Sequence, residues 1–177
     1  MIVMGFDPGT ATTGFGVIQV VNDVLSPLDV GVILTPSDMA IEMRLLSIYT
    51  DVNTLLDKYK PDTVATERLF FDRNVTNALG VGRAIGVIVL AIAQRGIPWM
   101  EYTPMQVKTS VTGYGSADKK QIQAMVVTLL GLKEVPKPDD AADALAIAIC
   151  HAHSIKLKSI GMNQSRGHRK YIRTQPK

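Results

Sequence analysis

Four carboxylates stand out because each lies where a buried element should begin or end. Asp7 ends the apolar run IVMGF, and Glu67 lies near the end of the short stretch TVATER. Asp140 and Asp143 are three residues apart at the start of an alanine-rich stretch, a spacing that puts both on one face of a helix. If these groups converged, they would repel one another, and their pKa values would rise unless positive charge compensated them.

Such a set of carboxylates would favour one kind of chemistry. Hard oxygen ligands without paired His or Cys indicate magnesium or manganese. Two of these ions about 3.5 to 4 Å apart can activate a water and stabilise the leaving oxygen of a phosphodiester. The residue types therefore predict metal-assisted phosphodiester hydrolysis, provided that the fold brings the four carboxylates together.

Ordinary structural roles would also explain each acid. Asp7 precedes a Pro-Gly turn and could simply form it. Acids in the first turn of a helix favour the positive end of its macrodipole, and for Asp139 this explanation is sufficient. Asp143 lies deeper, with Ala146 and Ile147 on its own stripe, where an ionised carboxylate is costly without a cation. The residues alone leave the structural and the metal-binding roles open.

The elements that must position these acids follow from apolar periodicity and turn residues. IVMGF, GFGVIQV and VLSPLDVGVIL predict three strands in a meander, and Pro27 implies a break or an edge position in the third. Helical stretches then alternate with the short strands TVATER and PWMEY. This order predicts an α/β fold with a mixed five-stranded sheet flanked by helices. If the first strand and TVATER are neighbours, Asp7 and Glu67 meet at the carboxyl ends of the strands, where ligands gather.

Four helices are predicted from apolar stripes and their capping residues. Ser37 can cap a first helix that reaches Pro61, and a second helix runs from Asn74 to about Gln94. A third extends over residues 116–131, and the alanine-rich segment 139–154 forms the fourth. No repeat or interdomain linker is visible.

Composition favours one globular domain in a reducing compartment. The chain has 177 residues, 46% of them hydrophobic, and a single cysteine, Cys150, which excludes an internal disulfide. The longest apolar run, AIGVIVLAIA, is half as long as a helix that crosses a bilayer. We therefore expect a cytoplasmic protein without a membrane partner.

The charge of the chain is uneven. Residues 155–177 hold seven Lys and Arg and no acid, which leaves residues 1–154 with 12 basic and 16 acidic side chains. A basic tail on an acidic body suits a polyanionic partner, but it also suits a solvated, disordered terminus. We predict a domain over residues 1–154 and a flexible basic tail over residues 155–177.

Two other patterns do not carry a site. Gly9 to Gly14 has the glycine spacing of a phosphate-binding P-loop, but Phe15 stands where the lysine should be. His151 and His153 cannot share a helix face, so they are interpreted as core or surface residues.

Four longer stretches carry a family resemblance. FDPGTATTGFGV, ATERLF, QVKTSVTGYGSADKKQIQAMV and DDAADALAIAI together resemble the RuvC family of Holliday-junction resolvases, in order and spacing, from residue 1 to about residue 153. The resemblance implies a ribonuclease H-like fold, a homodimer and paired, symmetric nicking of four-way DNA junctions. It further implies Mg²⁺ as cofactor, with Mn²⁺ as a substitute and two ions per active site, and cooperation with the RuvA–RuvB branch-migration complex.

The resemblance also assigns roles to individual residues. The family's catalytic and metal-binding carboxylates fall on Asp7, Glu67, Asp140 and Asp143. Asp139 has no counterpart in the family pattern and would at most modulate the site. Its two functional lysines fall on Lys108 and Lys119, which would hold or neutralise a scissile phosphate. Solvated surface lysines are the structural alternative.

DNA contacts are expected in the segment after Glu67. The family's base-stacking aromatic falls on Phe70, and Phe71 departs from the residue type expected there, so either ring could meet the DNA. Arg73 would add a phosphate or base contact. Adjacent aromatics that cap the core are the alternative.

The predicted helix 74–95 is the expected dimer interface. Its apolar run exceeds one face, and Gly80, Gly82 and Gly86 would each cost about 1 kcal/mol in a helix interior unless they serve packing. Packing of these glycines against the sheet is the alternative.

Three other functions compete with the resolvase interpretation. A catalytically silent junction-binding module would not need the complete carboxylate set. The sugar-kinase and actin-like group shares a phosphate loop similar to DPGTATTG but needs two such domains. A YqgF-type ribonuclease H-like nuclease, acting on RNA or other DNA, is disfavoured by the context of Lys108 and Lys119.

Overall fold

A computed structural model describes residues 1–69 and 75–168 of the chain. Within these residues the strands are β1 (Ile2–Asp7), β2 (Thr12–Val21), β3 (Val24–Leu34), β4 (Thr63–Glu67) and β5 (Trp99–Tyr102). The helices are α1 (Ile41–Tyr59), α2 (Val75–Gln94), α3 (Pro104–Thr112), α4 (Lys119–Leu130) and α5 (Asp139–His168).

The five strands form one mixed sheet in the order β3-β2-β1-β4-β5. The meander β1–β2–β3 is antiparallel, whereas β1 pairs with β4, and β4 with β5, in parallel. The predicted mixed five-stranded sheet is confirmed. Pro27 lies in β3, which is an edge strand, as expected for a residue without a backbone N–H. It pairs with Ile18, next to a register shift between Val17 and Ile18.

Helices cover both faces of the sheet because the strand side chains alternate between two cores. Met4 and Phe6 of β1 pack with buried residues of α1 and α2, such as Ile48 and Ile88. Val3, one residue away, belongs to the core on the opposite face, which contains the buried residues of α3, α4 and α5. The carboxyl ends of β1 and β4 therefore open between these two layers.

Helix α3 was not predicted from the sequence. Thr103 accepts a hydrogen bond from the backbone N–H of Gln106, the Gln106 side chain accepts one from the Thr103 backbone, and Pro104 occupies the first turn. The signal was the capping box TPMQ, which was overlooked because only two apolar residues, Val107 and Val111, are buried on so short a helix.

Three helix boundaries also differ from the prediction, and one of them is the start of α4, which lies at Lys119 rather than at residue 116. Helix α1 begins at Ile41 with Ala40 as its N-cap and no side-chain cap, so Ser37 does not cap it. Helix α5 continues beyond residue 154 as far as His168, which makes the first part of the predicted tail helical. In the described part of the chain, no helix is long and apolar enough to cross a bilayer.

Candidate active site

Asp7 and Glu67 meet at the carboxyl ends of two neighbouring strands. Phe6 faces Thr66 in the parallel β1–β4 pair, and each of these residues is followed directly by one of the two acids. The prediction that the two carboxylates converge if these strands are neighbours is confirmed. Charge repulsion between Glu67 and Asp7 contributes to a raised pKa of Asp7.

The amino end of α5 reaches the same place because glycines let it approach the sheet. A Cβ on Gly14, which pairs with Asp7, would lie 2.0 Å from the carbonyl oxygen of Asp140. A Cβ on Gly5 would lie 2.3 Å from the carbonyl oxygen of Ala144. Any larger residue would push α5 and its two acids away from β1 and β2, a role that the sequence analysis missed. The available signal was the presence of glycines inside otherwise apolar strands.

Three of the four predicted carboxylates line one cavity of about 260 Å³. Asp7 and Glu67 come from the sheet and Asp143 from α5, whereas Lys108 and Lys119 come from α3 and α4. The remaining lining residues are mostly apolar: Pro104, Val107, Ile122, Ala146 and Ile147. The complete lining, acids and lysines included, comes from five separate elements: β1, β4, α3, α4 and α5.

Asp140 approaches the site from the side. It lines a neighbouring cavity together with residues 9–12 of the β1–β2 turn and with Gly80 and Val81 of α2. Its charge still acts on Asp7, where it helps to raise the pKa. The fourth carboxylate is therefore close enough to interact electrostatically, although its side chain does not line the cavity shared by the other three.

The pKa values show that the site concentrates negative charge in a partly dry environment. Burial, followed by the charges of Glu67, Asp143 and Asp140, raises the pKa of Asp7 to about 8. Burial and the charge of Asp143 raise the pKa of Glu67, which Lys108 opposes. Burial also raises the pKa of Asp143 against the lowering effect of Lys119. A bound cation would relieve this repulsion.

Both lysines sit on helices whose first turns are held by capping boxes. Asp118 accepts a hydrogen bond from the backbone N–H of Gln121, and the Gln121 side chain accepts one from the Asp118 backbone, so that α4 begins at Lys119. Lys108 follows the capping box of α3 by one turn. The N-cap Asp118, like α3, was not singled out from the sequence.

Lys119 supplies positive charge to the acidic site. Its Nζ lies 3.1 Å from Oδ2 of Asp143 and 3.1 Å from Oδ2 of Asp139. Burial lowers the pKa of Lys119, but the two carboxylates outweigh this effect and raise it overall. Asp139, for which the sequence gave the helix macrodipole and at most a modulating role, is therefore in contact with a site residue.

The donor set fits a hard divalent cation. The cavity presents oxygen ligands from Asp7, Glu67 and Asp143, which is the chemistry that Mg²⁺ or Mn²⁺ requires. Across residues 1–69 and 75–168, no three His, Cys, Asp or Glu side chains are gathered closely enough to enclose an ion as they stand. Binding would therefore require the acids to close around the cation.

Three of the predicted DNA-contacting residues belong to the segment that follows Glu67. Phe70, Phe71 and Arg73 lie outside the described residues. The segment that leads to them starts at the site, because Arg68 and Leu69 line a cavity of about 210 Å³ that includes Glu67.

The three glycines of the predicted dimer helix differ in their surroundings. A Cβ on Gly80 would lie 3.3 Å from Thr10 Oγ1, and a Cβ on Gly82 would lie 3.4 Å from Leu69 Cδ2, so both face the chain's own residues. A Cβ on Gly86 would meet no atom within 4 Å. Of the three positions, Gly86 is the one where an added side chain would point away from the described residues.

His151 and His153 make contacts within the fold, in line with their interpretation as core or surface residues. His151 is buried, with Nε2 2.7 Å from Thr63 Oγ1 and Nδ1 2.8 Å from Tyr102 Oη. His153 Nδ1 lies 3.2 Å from both Oγ and the carbonyl oxygen of Ser110.

Comparisons with known proteins point to one family. Residues 3–151 match the family model described as "Crossover junction endodeoxyribonuclease RuvC". The chain is 54% identical over 157 residues to the crossover junction endodeoxyribonuclease RuvC of Desulfitobacterium hafniense (strain DSM 10664 / DCB-2), covering 89% of this chain and 95% of that protein.

Solved structures agree with this match. The structure of Thermus thermophilus RuvC in complex with Holliday junction substrate has a TM-score of 0.85 at 37% identity, covering 89% of this chain and 96% of that chain. The yeast mitochondrial Holliday junction resolvase Ydc2 has a TM-score of 0.62 at 16% identity, covering 85% of this chain and 78% of that chain, which shows a shared fold. The predicted ribonuclease H-like fold is thereby confirmed. The chain belongs to the RuvC family of crossover junction endodeoxyribonucleases.

Proposed function

We propose that this chain is a Holliday-junction resolvase, a metal-dependent endonuclease that makes paired symmetric nicks in four-way DNA junctions. The observation that carries the proposal is the cavity in which Asp7, Glu67 and Asp143 converge beside Lys108 and Lys119. Acids that hold cations and lysines that attract phosphate are the two components that phosphodiester hydrolysis needs. A relative whose solved structure contains a Holliday junction shares the fold and 37% of its residues.

The carboxylates would hold the metal. Asp7, Glu67 and Asp143 supply oxygen ligands within the cavity, and Asp140 adds a fourth from the side. We assign Mg²⁺ as the cofactor, two ions per active site, with Mn²⁺ as a substitute, because both are hard cations that prefer oxygen. When bound, such ions supply an activated water and charge stabilisation at the leaving oxygen.

The two lysines would bind the scissile phosphate from different helices. Lys108 acts electrostatically on Glu67, and Lys119 contacts Asp143, so the positive charges flank the acids rather than form one patch. The apolar lining from Val107, Ile122 and neighbouring residues lowers the local dielectric and strengthens these interactions. The lysines therefore orient the phosphate while the apolar wall limits competing water.

DNA at the junction centre would be opened by the segment after Leu69. We assign base stacking to Phe70 or Phe71 and a phosphate or base contact to Arg73, on the strength of the family resemblance. Support comes from the start of the segment, since Arg68 and Leu69 border a cavity that includes Glu67.

A homodimer would make the two nicks symmetric. On α2, exposed residues recur on one face at Leu79, Arg83, Gly86 and Leu90, and both leucines are more than half exposed. This stripe, which is apolar except for Arg83, is the surface that we assign to the dimer. Gly80 and Gly82 would contribute indirectly, by letting α2 pack against Thr10 and Leu69.

Two further assignments have different grounds: the cytoplasmic location rests on composition, and the RuvA–RuvB partner rests on the family resemblance. We place the protein in the cytoplasm and take the RuvA–RuvB branch-migration complex as its partner on the junction. Sedimentation of the chain with junction DNA, with and without RuvA–RuvB, tests the partner: binding that is the same in both samples would reject it.

The deciding experiment incubates the protein with a labelled four-way junction, a duplex of the same sequence and an RNA hairpin, with and without Mg²⁺. Paired nicks in the junction alone, dependent on Mg²⁺, are expected. Cleavage of the RNA hairpin would favour the YqgF-type alternative. Binding of the junction without cleavage at any metal concentration would indicate a silent binding module.

A further inference from the structure

Helices α4 and α5 face each other at the rim of the site through two pairs of side chains. Lys119 and Gln123 are one turn apart on α4, and Asp139 and Asp143 are one turn apart on α5. Lys119 Nζ lies 3.1 Å from both carboxylates, and Gln123 Nε2 donates a hydrogen bond to Asp139 Oδ1 at 3.1 Å. The ammonium is therefore shared between two acids, one of which is held in place by an amide.

The two acids that share Lys119 lie at different depths. The Asp143 side chain is 34% exposed and lines the cavity with Asp7 and Glu67. The Asp139 side chain is 60% exposed and lies outside that lining. A divalent cation in the cavity would bind Asp143 and not Asp139. Because an ammonium and a divalent ion at one carboxylate repel each other, Lys119 would have to give up Asp143.

We propose that Asp139 is a positioning residue for Lys119. When a divalent cation takes the place of the Lys119 ammonium at Asp143, Asp139 keeps that ammonium at the rim of the site. The inference rests on the proposed function, since it requires a cation in the cavity. Without Asp139, the ion pair with Asp143 is the remaining one for Lys119 among the described residues. The cation would then have to break the Lys119–Asp143 ion pair while Lys119 has no second carboxylate to hold it.

Asp139 would thereby serve two steps with one contact. It lowers the cost of cation binding, because Lys119 keeps one of its two carboxylate partners instead of losing its sole partner. It also keeps the ammonium beside the cavity, where the scissile phosphate would bind. Gln123 supports both effects by fixing the Asp139 carboxylate towards α4.

The first test measures Mn²⁺ binding calorimetrically, without DNA, in a double-mutant cycle of Asp139→Asn and Lys119→Met. In the wild-type background, Asp139→Asn is expected to weaken Mn²⁺ binding about two- to fivefold, the range for a half-exposed ion pair. In the Lys119→Met background it should have no effect, and Asp139→Glu should restore affinity. Equal weakening in both backgrounds would mean a long-range effect of the lost charge and would overturn the proposal.

The second test follows single-turnover cleavage of pre-bound junction against Mg²⁺ concentration. Asp139→Asn should raise the half-saturating Mg²⁺ concentration, and Gln123→Ala should raise it less. Glu134→Gln is the matched control, because it removes an exposed acid from the α4–α5 connection that forms no ion pair with Lys119. A shift as large for Glu134→Gln as for Asp139→Asn would contradict the positioning role.

Failure of this inference can be told apart from failure of the proposed function. If wild-type protein binds no Mn²⁺ and cuts no junction, the metal-dependent nuclease itself is rejected. If wild type binds and cuts normally but the cycle shows no coupling, only the role of Asp139 is rejected. Thermal unfolding in EDTA confirms that each variant is folded.

Discussion

Asp7 and Glu67 stand side by side at the ends of two parallel strands, directly after the paired residues Phe6 and Thr66. Burial and then the charge of Glu67 are the two largest causes that raise the pKa of Asp7 to about 8. The strand pairing thus creates an unfavourable concentration of charge. Such a concentration is expected where a cation or a phosphate-bound metal must be held.

Asp7→Asn should abolish cleavage while junction binding survives. The amide keeps the size of the side chain but removes the charge that holds a cation, and losing a negative charge near phosphate eases DNA association. Cleavage should stay at background at every Mg²⁺ concentration, and Glu67→Gln, Asp140→Asn and Asp143→Asn should behave alike. Junction affinity measured by gel shift in EDTA, beside single-turnover cleavage, checks this. Robust cleavage by Asp7→Asn would return Asp7 to the role of a turn residue.

The metal-free protein should lose stability as pH rises, because of Asp7. Its pKa is about 8 in the folded chain against 3.8 when unperturbed, so between these values the folded state binds more protons than the unfolded state. Stability from this group is complete below pH 3.8 and is lost as pH rises through 8. Asp7→Asn should therefore unfold at a higher temperature than wild type in EDTA, by more than about 3 °C at pH 8 and by less at pH 5.

Thermal scans at pH 5, 6.5 and 8 provide the measurement. Mg²⁺ should raise the Tm of wild type at pH 8 and leave that of Asp7→Asn nearly unchanged. A Tm difference between the two proteins that is the same at all three pH values would show that Asp7 does not titrate in this window.

Phe70→Ala should keep most of the junction affinity and lose cleavage, because the ring is expected to stack on bases after binding, worth roughly 1 to 3 kcal/mol per base. Phe71→Ala is the matched variant that decides which ring meets the DNA. Binding and single-turnover cleavage are measured for both, with thermal unfolding as the control. A lower Tm with activity that tracks the folded fraction would assign the ring to the core.

Leu90→Glu should convert the proposed dimer to monomers that nick one strand at most, because it places a charge on the exposed stripe of α2. Leu28→Glu is a suitable control, since Leu28 is also an exposed leucine but lies on the edge strand β3. Light scattering gives the mass, and denaturing gels count the nicks per junction. Gly82→Leu is a less specific variant, because its side chain would also contact Leu69. A normal dimer for Leu90→Glu would remove this face from the interface.

Truncation after His168 should weaken junction binding and flatten its salt dependence. It removes Arg169, Lys170, Arg173 and Lys177 while leaving α5 whole, which deletion of residues 155–177 would not. The log-log slope should fall by about 0.9 for each phosphate that these side chains no longer neutralise. Affinity titrations at several salt concentrations measure the slope. The same slope for both proteins would show that these four residues do not bind DNA.

Local patterns in the sequence determined the strands, most helices and the candidate acids. The apolar run of β1, the Pro-Gly turn after Asp7 and the alanine-rich start of α5 are signals that lie within about ten residues of the acids they place. The same kind of signal existed for α3, in the capping box at Thr103, although a helix with so short a buried stripe was missed.

Only the tertiary structure decided how these pieces meet. Pairing of β1 with β4 joins Asp7 to Glu67 across sixty residues, and the contact of Gly14 with Asp140 depends on a helix packing against a distant strand. The sharing of Lys119 between Asp139 and Asp143 likewise needs α4 and α5 to face each other. Such contacts arise from burial and close packing between segments far apart in the chain, for which no local periodicity exists.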